Sequence, residues 1–313
     1  MKTVTILVPV YNEQATIDIF YNKTISVIDA LSDYDFELLF INDGSKDGSL
    51  ELIRNLQKQD ERVSYVDLSR NFGKENAMIA GLDYAIGDAV IIMDADLQNP
   101  PELLPEFLYW WEEGYEDVCG KRLSREGESF LKKMGTKLYY YLLRKLTHAP
   151  VQVDVGDFRL LDKKCVLAMR QMRESQRYTK GLFSWIGYRK KEIPFEVATR
   201  VAGETKWNYA RLVELAIDGL TSYTTLPLRI AGILGFVVSM LAIIYMLYII
   251  VKTIIYGIDL PGYPSLVSMI LFIGGMQLIV LGIIGEYLGK IFNETKNRPL
   301  YLIGDYKKGV KHA

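Results

Sequence analysis

The pattern of hydrophobic and polar positions along the first hundred residues predicts four β-strands separated by helices. Short apolar runs bounded by polar clusters are typical of buried strands and occur at residues 4–10, 37–41, 63–68 and 89–93. Segments with helical spacing alternate with them, at residues 14–31, 47–59 and 74–86. This succession of βα units predicts an α/β domain on a mostly parallel, Rossmann-like sheet, which we place at residues 1–226.

Two longer apolar runs follow this domain. Residues 228–251 contain one charged residue, Arg229, and residues 266–284 contain none. Each run is close to the ~20 residues that cross the hydrocarbon core of a bilayer as a helix. The segment between them is rich in glycine and proline, which indicates a turn outside the bilayer. Two buried core helices of a soluble protein are the alternative.

These runs predict a transmembrane hairpin at residues 227–290, with spans at about 228–252 and about 266–288. Residues 291–313 then form a basic tail. Lysine and arginine residues flank the hairpin on both outer sides, whereas the connecting loop offers only Lys252 against Asp259. The positive-inside rule therefore places the globular domain and both termini on the cytoplasmic side of the inner membrane.

Two further segments combine apolar steps with basic residues, at residues 129–146 and 209–223. Such a pattern fits a helix that lies in an anionic headgroup layer. It fits equally well an amphipathic helix that packs on its own domain. Both segments are predicted as amphipathic helices.

The net charge and the cysteine and histidine content limit the partners and metal sites that the sequence predicts. The formal net charge of -1 argues against nucleic acid as a partner, because proteins that bind phosphate backbones usually carry a strong basic excess. Cys119 and Cys165 form no CxxC pair, and His148 and His312 lie far apart in the sequence. A disulfide framework and a zinc site are not indicated, so a bound metal would need carboxylate ligands.

Polar clusters come directly after each predicted strand. They begin at Tyr11, Asn42, Ser69 and Asp94. Because open α/β sheets bind ligands at the carboxyl ends of their strands, four clusters on one edge predict a binding site. Asp94 and Asp96 flank a single small residue there, and two such carboxylates suit Mg²⁺ or Mn²⁺ bound together with a diphosphate.

The motifs together resemble the nucleotide-sugar domain of family 2 glycosyltransferases, which have the GT-A fold. They are Val8 to Glu13, Asn42 to Asp47, Ser69 to Lys74, Asp94 to Gln98, Gly156 to Arg159, and residues 200–207. With the two C-terminal spans, the chain is similar over nearly its whole length to polyprenyl-phosphate glycosyltransferases. These are bacterial glucosyl-carrier synthases, related to dolichol-phosphate mannose synthase.

The resemblance implies a role for individual residues. Nucleotide-sugar binding is implied for Pro9, Tyr11, Glu13, Asp43, Lys74, Asp94 and Gln98. Metal binding is implied for Asp94 and Asp96, and a catalytic role for Asp96 and Asp157. Lipid-phosphate binding is assigned to the cations Arg122, Arg200 and Lys206. Asn42 departs from the family, since many relatives have an aspartate there.

Asp157 corresponds to the family's candidate general base. A phosphate monoester has its second pKa near ~6 and is already largely dianionic at neutral pH, so little proton removal is needed. Asp157 would then orient the acceptor or stabilise positive charge on the sugar carbon. A helix cap or an ion pair with Arg159 is the structural alternative.

The implied reaction is inverting transfer of one hexose, with glucose from UDP-glucose favoured, to a polyprenyl phosphate of the undecaprenyl type at a membrane, for modification of cell-envelope glycans. GDP-mannose, UDP-N-acetylglucosamine or a UDP-aminopentose as donor remain alternatives, and so does an inactive membrane scaffold that keeps the fold. A processive synthase is disfavoured, because the chain has no QxxRW motif and only two predicted spans. The oligomeric state stays open, a homo-oligomer included.

Overall fold

The structure is a computed structural model that describes residues 1–123, 155–175, 177, 179–196, 226–256 and 262–309. The chain divides into two units. The first comprises residues 1–207 and 298–313, and the second comprises residues 208–297.

Within the described residues, an eight-stranded sheet forms the centre of the first unit. Its strands are β1 (Lys2–Val10), β2 (Tyr34–Asn42), β3 (Val63–Leu68), β4 (Ala89–Ile92), β5 (Asp117–Arg122), β6 (Val155–Asp162), β7 (Lys190–Phe195) and β8 (Ile303–Lys307). The spatial order is β7-β5-β6-β4-β1-β2-β3-β8. Strands β1 to β4 are mutually parallel where they pair, whereas β6 and β8 run antiparallel to their neighbours.

Helices cover both faces of this sheet. They are α1 (Ile17–Ile28), α2 (Ser49–Gln59), α3 (Lys74–Tyr84), α4 (Leu104–Glu112), α5 (Lys163–Gln171) and α6 (Thr179–Trp185). Alternate residues of the strands point to opposite faces, so Ile6 packs in the core shared with α1, α2 and α4, whereas Leu7 packs in the core shared with α3, α5 and α6. Every apolar run predicted as a strand is therefore buried on both sides.

The predicted fold class is confirmed. The predicted strand at residues 63–68 has the observed bounds, and the other three predicted strands differ from β1, β2 and β4 by a few terminal residues. Each predicted helix contains an observed one. The prediction at residues 14–31 is three residues too long at each end, the prediction at 47–59 begins two residues early, and the prediction at 74–86 ends two residues late. Helix ends fray and carry weaker sequence signals than helix centres, which accounts for this difference.

The predicted basic tail at residues 291–313 needs correction in the part that the structure describes. The last long helix continues to Thr295, and β8 then pairs antiparallel with β3 at the edge of the sheet. Asp305 on β8 accepts hydrogen bonds from Arg54 at 3.0 Å and from the Tyr65 hydroxyl at 2.8 Å. An uncovered β3 would expose a row of unpaired backbone groups, and β8 satisfies them.

The described part of the second unit contains two long helices, α7 (Leu226–Tyr256) and α8 (Tyr263–Thr295). Both contain stretches long and apolar enough to cross a membrane, at Ile230–Tyr256 with a mean hydropathy of 2.6 and at Phe272–Thr295 with 1.6. Both helices extend into the segment predicted as a turn, since α7 ends at Tyr256 and α8 begins at Tyr263. Gly262 and Pro264 lie at the N-terminal end of α8. The amphipathic segments predicted at residues 129–146 and 209–223 lie outside the described residues.

Candidate active site

A cavity of about 310 Å³ opens at the carboxyl ends of β1, β2 and β4. Seven residues assigned to the site from the sequence line it: Pro9, Tyr11, Glu13, Asp43, Lys74, Asp94 and Asp96. The parallel arrangement of β1 to β4 brings together the four loops that follow these strands, as the strand-end argument predicts.

A larger cavity of about 760 Å³ lies at the opposite edge of the sheet, among residues such as Thr3, Phe36 and Ser64. Of the residues assigned to the site from the sequence, none that the structure describes lines this cavity. Volume therefore does not identify the site here, and the convergence of charged groups in the smaller cavity does.

The loops after β1 and β2 are joined by side chains that bond to backbone groups. The backbone N–H of Asn12 donates to Ser45 Oγ at 3.0 Å, and the N–H of Lys46 donates to Asn12 Oδ1 at 2.8 Å. The N–H of Glu13 donates to Ser49 Oγ at 2.9 Å. Asn12 has a positive φ of 55°, which asparagine tolerates better than most residues. These bonds fix the wall of the cavity that carries Tyr11 and Glu13.

Asp43 is buried, and its two carboxylate oxygens bind the loop before α3. The backbone N–H of Phe72 donates to Oδ1 at 2.7 Å, and that of Gly73 donates to Oδ2 at 2.9 Å. Burial raises the pKa of Asp43, although these two N–H groups act in the opposite direction. Asp43 thus has a structural task in addition to the nucleotide binding expected of it, which stays a prediction.

Asn42, which departs from the family pattern, is also part of the scaffold. Its Nδ2 donates to Asp67 Oδ1 at 2.7 Å, and its Oδ1 accepts from the N–H of Ser45 at 3.3 Å. An amide both donates and accepts, so asparagine can link β3 to the loop after β2 in a way that an ionised aspartate cannot.

Lys74, the first residue of α3, connects two acids that come from different strands. Its Nζ lies 2.6 Å from Asp94 Oδ1 and 2.9 Å from Asp157 Oδ2. Asp94 follows β4, and Asp157 lies in the antiparallel β6. The sequence prediction placed all three residues in the site, and the structure shows them in direct contact.

The environment keeps Asp157 ionised. Burial opposes ionisation of its carboxyl group, but the nearby Lys74 and Lys180 cations outweigh burial and hold its pKa below the ordinary value. Its Oδ2 binds Lys74, whereas its Oδ1 is buried and has no hydrogen-bond partner among the described residues. Asp157 does not pair with Arg159 as the structural alternative supposed, because Arg159 binds Asp117 instead.

Asp96 and Gln98 are held by a tight turn after β4. Asp96 Oδ1 accepts the backbone N–H of Gln98 at 3.1 Å, and Leu97 between them has a φ of 61°. The turn directs the carboxylate of Asp96 to the cavity that Asp94 also lines. The nucleotide-sugar role of Gln98 stays a prediction.

The donor set of Asp94 and Asp96 fits a hard divalent cation, because carboxylate oxygens are the ligands that Mg²⁺ and Mn²⁺ prefer. Within the described part of the chain, no three His, Cys, Asp or Glu side chains are grouped as ligands for a metal ion. Two carboxylates are few for an all-protein metal site, yet they suffice where a substrate diphosphate and water supply the other ligands. The residues therefore fit an ion that binds together with the nucleotide.

Arg122, assigned to the lipid phosphate, lies at the end of β5 and close to Gly156 of β6. A Cβ atom added to Gly156 would come within 3.6 Å of Arg122 Nε. That Nε atom is buried and has no hydrogen-bond partner among the residues described. Arg200 and Lys206 lie outside the described residues.

Sequence reasoning missed a buried ion pair under the site. Arg159 Nη1 lies 3.1 Å from Asp117 Oδ2, and both side chains are almost completely buried. Arg159 also donates to the Gly156 carbonyl at 3.1 Å and stacks on Phe183 at 3.8 Å. The run Gly156 to Arg159 is a motif in the sequence, but Asp117, the partner of Arg159, is 42 residues away.

Glu75 is a second feature that the sequence did not reveal. Its carboxyl group accepts hydrogen bonds from the backbone N–H and the hydroxyl of Thr179, which starts α6. Burial, followed by the negative charge of Asp157, raises the pKa of Glu75 to about 7, while Lys74 and Lys180 act against this shift. Glu75 thus links α3 to α6 behind the site.

This shift predicts a pH-dependent stability. Below the ordinary value of 4.5, both folded and unfolded chains protonate Glu75. Between 4.5 and about 7 only the folded chain keeps the proton, so the stabilisation that protonation provides is lost as the pH rises through this window. Glu75→Gln keeps an acceptor for Thr179 and has no charge. We expect its Tm, relative to wild type, to be about 2–4 °C higher at about pH 8 than at about pH 5.

Thermal unfolding of the detergent-solubilised protein at both pH values measures this difference. Glu51→Gln is the matched control, since Glu51 is an exposed glutamate on α2. The prediction would be contradicted if the Tm difference between Glu75→Gln and wild type were the same at both pH values.

Comparison with known proteins identifies the family. Residues 5–167 match the family described as glycosyl transferase family 2, and residues 226–291 match the GtrB C-terminal hairpin. An uncharacterized glycosyltransferase of Synechocystis is 44% identical over 96% of this chain and 94% of its own length. The prophage bactoprenol glucosyl transferase homolog of Escherichia coli is 42% identical over 97% of this chain and 99% of its own.

The bactoprenol glucosyl transferase of Shigella phage SfII is 40% identical over 98% of this chain and 99% of its own length. The chain belongs to glycosyl transferase family 2 and is a glycosyltransferase. Within that family it carries the GtrB-type C-terminal hairpin, which α7 and α8 form.

Proposed function

We propose that this glycosyltransferase transfers glucose from UDP-glucose to a polyprenyl phosphate, with inversion at the sugar carbon. The observation that carries the proposal is the similarity to proteins named bactoprenol glucosyl transferase, which extends over the hairpin as well as the catalytic domain. The chemistry of the cavity is consistent with it, since one cation, Lys74, and four acids line the same space; the acids are Glu13, Asp43, Asp94 and Asp96.

The donor nucleotide would bind along the loops after β1 and β2. Tyr11 is 44% exposed, so its ring is available to contact a base, and Glu13 lies beside it for polar contacts with the nucleoside. Asp94 and Asp96 would hold Mg²⁺ or Mn²⁺ together with the diphosphate. When bound, such an ion neutralises the negative charge that develops on the departing UDP.

In the reaction, an oxygen of the lipid phosphate forms a bond to the anomeric carbon while the bond from that carbon to the UDP oxygen breaks. The products are the glucosyl phospholipid and UDP. Asp157 carries its negative charge at neutral pH because Lys74 and Lys180 lower its pKa. It is therefore a weak base, suited to stabilising positive charge on the sugar carbon rather than to taking a proton.

The acceptor phosphate would bind to Arg122, with Arg200 and Lys206 as further cations. The buried Nε of Arg122, which has no partner among the described residues, offers a donor for a phosphate oxygen. Arg122 adjoins Gly156, the residue that precedes Asp157 in β6. An acceptor bound there would approach the sugar from the side of β6.

The hairpin would anchor the enzyme beside its membrane-confined acceptor and so raise the effective concentration of that lipid. Two crossings would return the chain to the side of the membrane from which it started. This agrees with the strand order, because β7 precedes the hairpin, β8 follows it, and both strands belong to the same sheet. By the positive-inside rule, the flanking basic residues favour the cytoplasmic side of an inner membrane for the catalytic domain.

A direct test uses the full chain purified in detergent with UDP-glucose and Mn²⁺ or Mg²⁺. We expect UDP release that requires undecaprenyl phosphate, a mass-detected glucosyl phospholipid, and loss of both signals with a chelator. GDP-mannose, UDP-N-acetylglucosamine and a UDP-aminopentose are compared in parallel. A larger lipid-dependent turnover with one of these donors would replace glucose in the proposal, and no turnover with any donor would favour an inactive scaffold.

A further inference from the structure

The position of Lys74 is set by the backbone before α3. Gly73 has a φ of 92°, a conformation that favours glycine, and its N–H is held by Asp43. The next residue, Lys74, begins the helix and extends its side chain to the cavity. Asp43 therefore fixes the point from which Lys74 reaches the acids.

The ammonium group of Lys74 lies where two acids converge. It is 2.6 Å from Asp94 Oδ1 and 2.9 Å from Asp94 Oδ2, so it engages both oxygens of one carboxylate. It also lies 2.9 Å from Asp157 Oδ2. A positive charge in this place compensates two acids that are largely shielded from water, with side chains 25% and 14% exposed.

We propose that Lys74 serves as an internal cation that occupies the metal-binding side of Asp94 until a divalent ion and a nucleoside diphosphate bind together. The inference rests on the proposed function, because it concerns the same metal and diphosphate. It adds that Lys74 lowers the affinity for the metal alone and makes metal binding depend on the nucleotide.

The contacts of Lys74 imply that its ammonium group and a divalent ion compete for Asp94. A divalent ion on Asp94 needs at least one of the two oxygens that the ammonium group engages, and two cations on one carboxylate repel each other strongly at a separation of a few ångströms. Lys74 must therefore move from Asp94 when the ion binds. Its side chain is 43% exposed and has a flexible four-carbon stem, so it has room to move.

A diphosphate gives the displaced ammonium group a new partner. The cavity that Lys74 lines also contains Asp94 and Asp96, so phosphate oxygens bound there would come within reach of its ammonium group. With the nucleotide present, displacement of Lys74 from Asp94 is offset by a phosphate contact. Metal and nucleotide thus become positively coupled, and each raises the affinity for the other by the same factor.

The test titrates Mn²⁺ into the full chain in detergent, with free Mn²⁺ measured by electron paramagnetic resonance. Lys74→Met removes the charge at nearly constant length, and Lys74→Arg retains the charge. Without nucleotide, we expect Lys74→Met to bind Mn²⁺ about tenfold more tightly than wild type, because the competing charge is gone. Lys74→Arg should remain as weak as wild type. Lys58→Met, on an exposed position of α2, is the matched control and should not differ from wild type.

A second titration measures the coupling with UDP. Saturating UDP should tighten Mn²⁺ binding strongly in wild type and much less in Lys74→Met. Unchanged or weaker Mn²⁺ binding by Lys74→Met in the absence of UDP would overturn the inference. An equal effect of UDP in both proteins would overturn it as well.

Stability of the metal-free protein provides an independent readout. Without Lys74 the two acids repel each other, so Lys74→Met should have a lower Tm than wild type in chelator and a larger rise in Tm on addition of Mn²⁺. If Lys74→Met does not fold without metal, Mn²⁺ should restore folding, and failure to restore it would refute the inference. The lipid-dependent UDP assay tests the proposed function separately, since Mn²⁺ binding requires neither donor sugar nor lipid.

Discussion

Asp94→Asn is expected to lower lipid-dependent UDP release by about 10²–10³-fold while the protein stays folded. Asparagine keeps the size of the side chain but provides one neutral oxygen where the carboxylate offers two charged ones. The change therefore weakens the group proposed to hold the ion and the diphosphate. Lys74 would retain its contact with Asp157, which limits the structural damage.

Steady-state UDP release and the thermal unfolding curve, measured on the same preparation, separate catalysis from folding. Asp35→Asn is the matched control, because Asp35 is an exposed aspartate on β2 that lies away from the cavity. Turnover of Asp94→Asn close to that of Asp35→Asn would contradict the assignment of Asp94 to the metal and diphosphate.

Asp117→Asn is expected to cause the largest loss of stability, about 3–5 kcal/mol in the free energy of unfolding. Asp117 is completely buried and faces two cations, with Arg159 Nη1 at 3.1 Å and Lys190 Nζ at 3.7 Å. Removing its charge leaves the buried guanidinium of Arg159 without a counter-ion. Arg159 lies in β6 two residues after Asp157, so turnover should fall as well.

Chemical denaturation followed by tryptophan fluorescence measures the loss. Glu112→Gln is the matched control, because Glu112 pairs with Lys2 in an exposed ion pair that is expected to contribute less than about 1 kcal/mol. Similar losses of unfolding free energy for Asp117→Asn and Glu112→Gln would contradict the prediction that the buried pair of Asp117 and Arg159 stabilises the fold more than an exposed pair does.

The sequence predicts strands β1 to β4 and the helices between them, whereas it does not predict strands β5 to β8. Strands β1 to β4 are apolar runs whose signal is local. In contrast, β8 reads as part of a basic tail, with exposed residues on both faces, and becomes a strand only because β3 offers it an edge. Formation of β8 depends on its pairing with β3. Because β3 is distant in the sequence, the residues around β8 do not by themselves predict a strand.

The site shows the same division. Sequence motifs at the strand ends predict the acids and Lys74 as site residues. Seven of the residues predicted for the site line one cavity. The contact of Lys74 with Asp157, the two N–H groups on Asp43 and the link from Glu75 to Thr179 were not foreseen. They join residues that are 29 to 104 positions apart in sequence, where spacing carries no signal.

By itself, the sequence determined the class of the sheet, the two long apolar helices and the residue types available for chemistry. These properties depend on local hydrophobic periodicity and on side-chain identity. The tertiary structure alone decided which charges meet. Lys74 lies between Asp94 and Asp157, and Arg159 pairs with Asp117 rather than with its neighbour, because chain folding brings distant strands within a few ångströms and burial makes each unpaired charge costly.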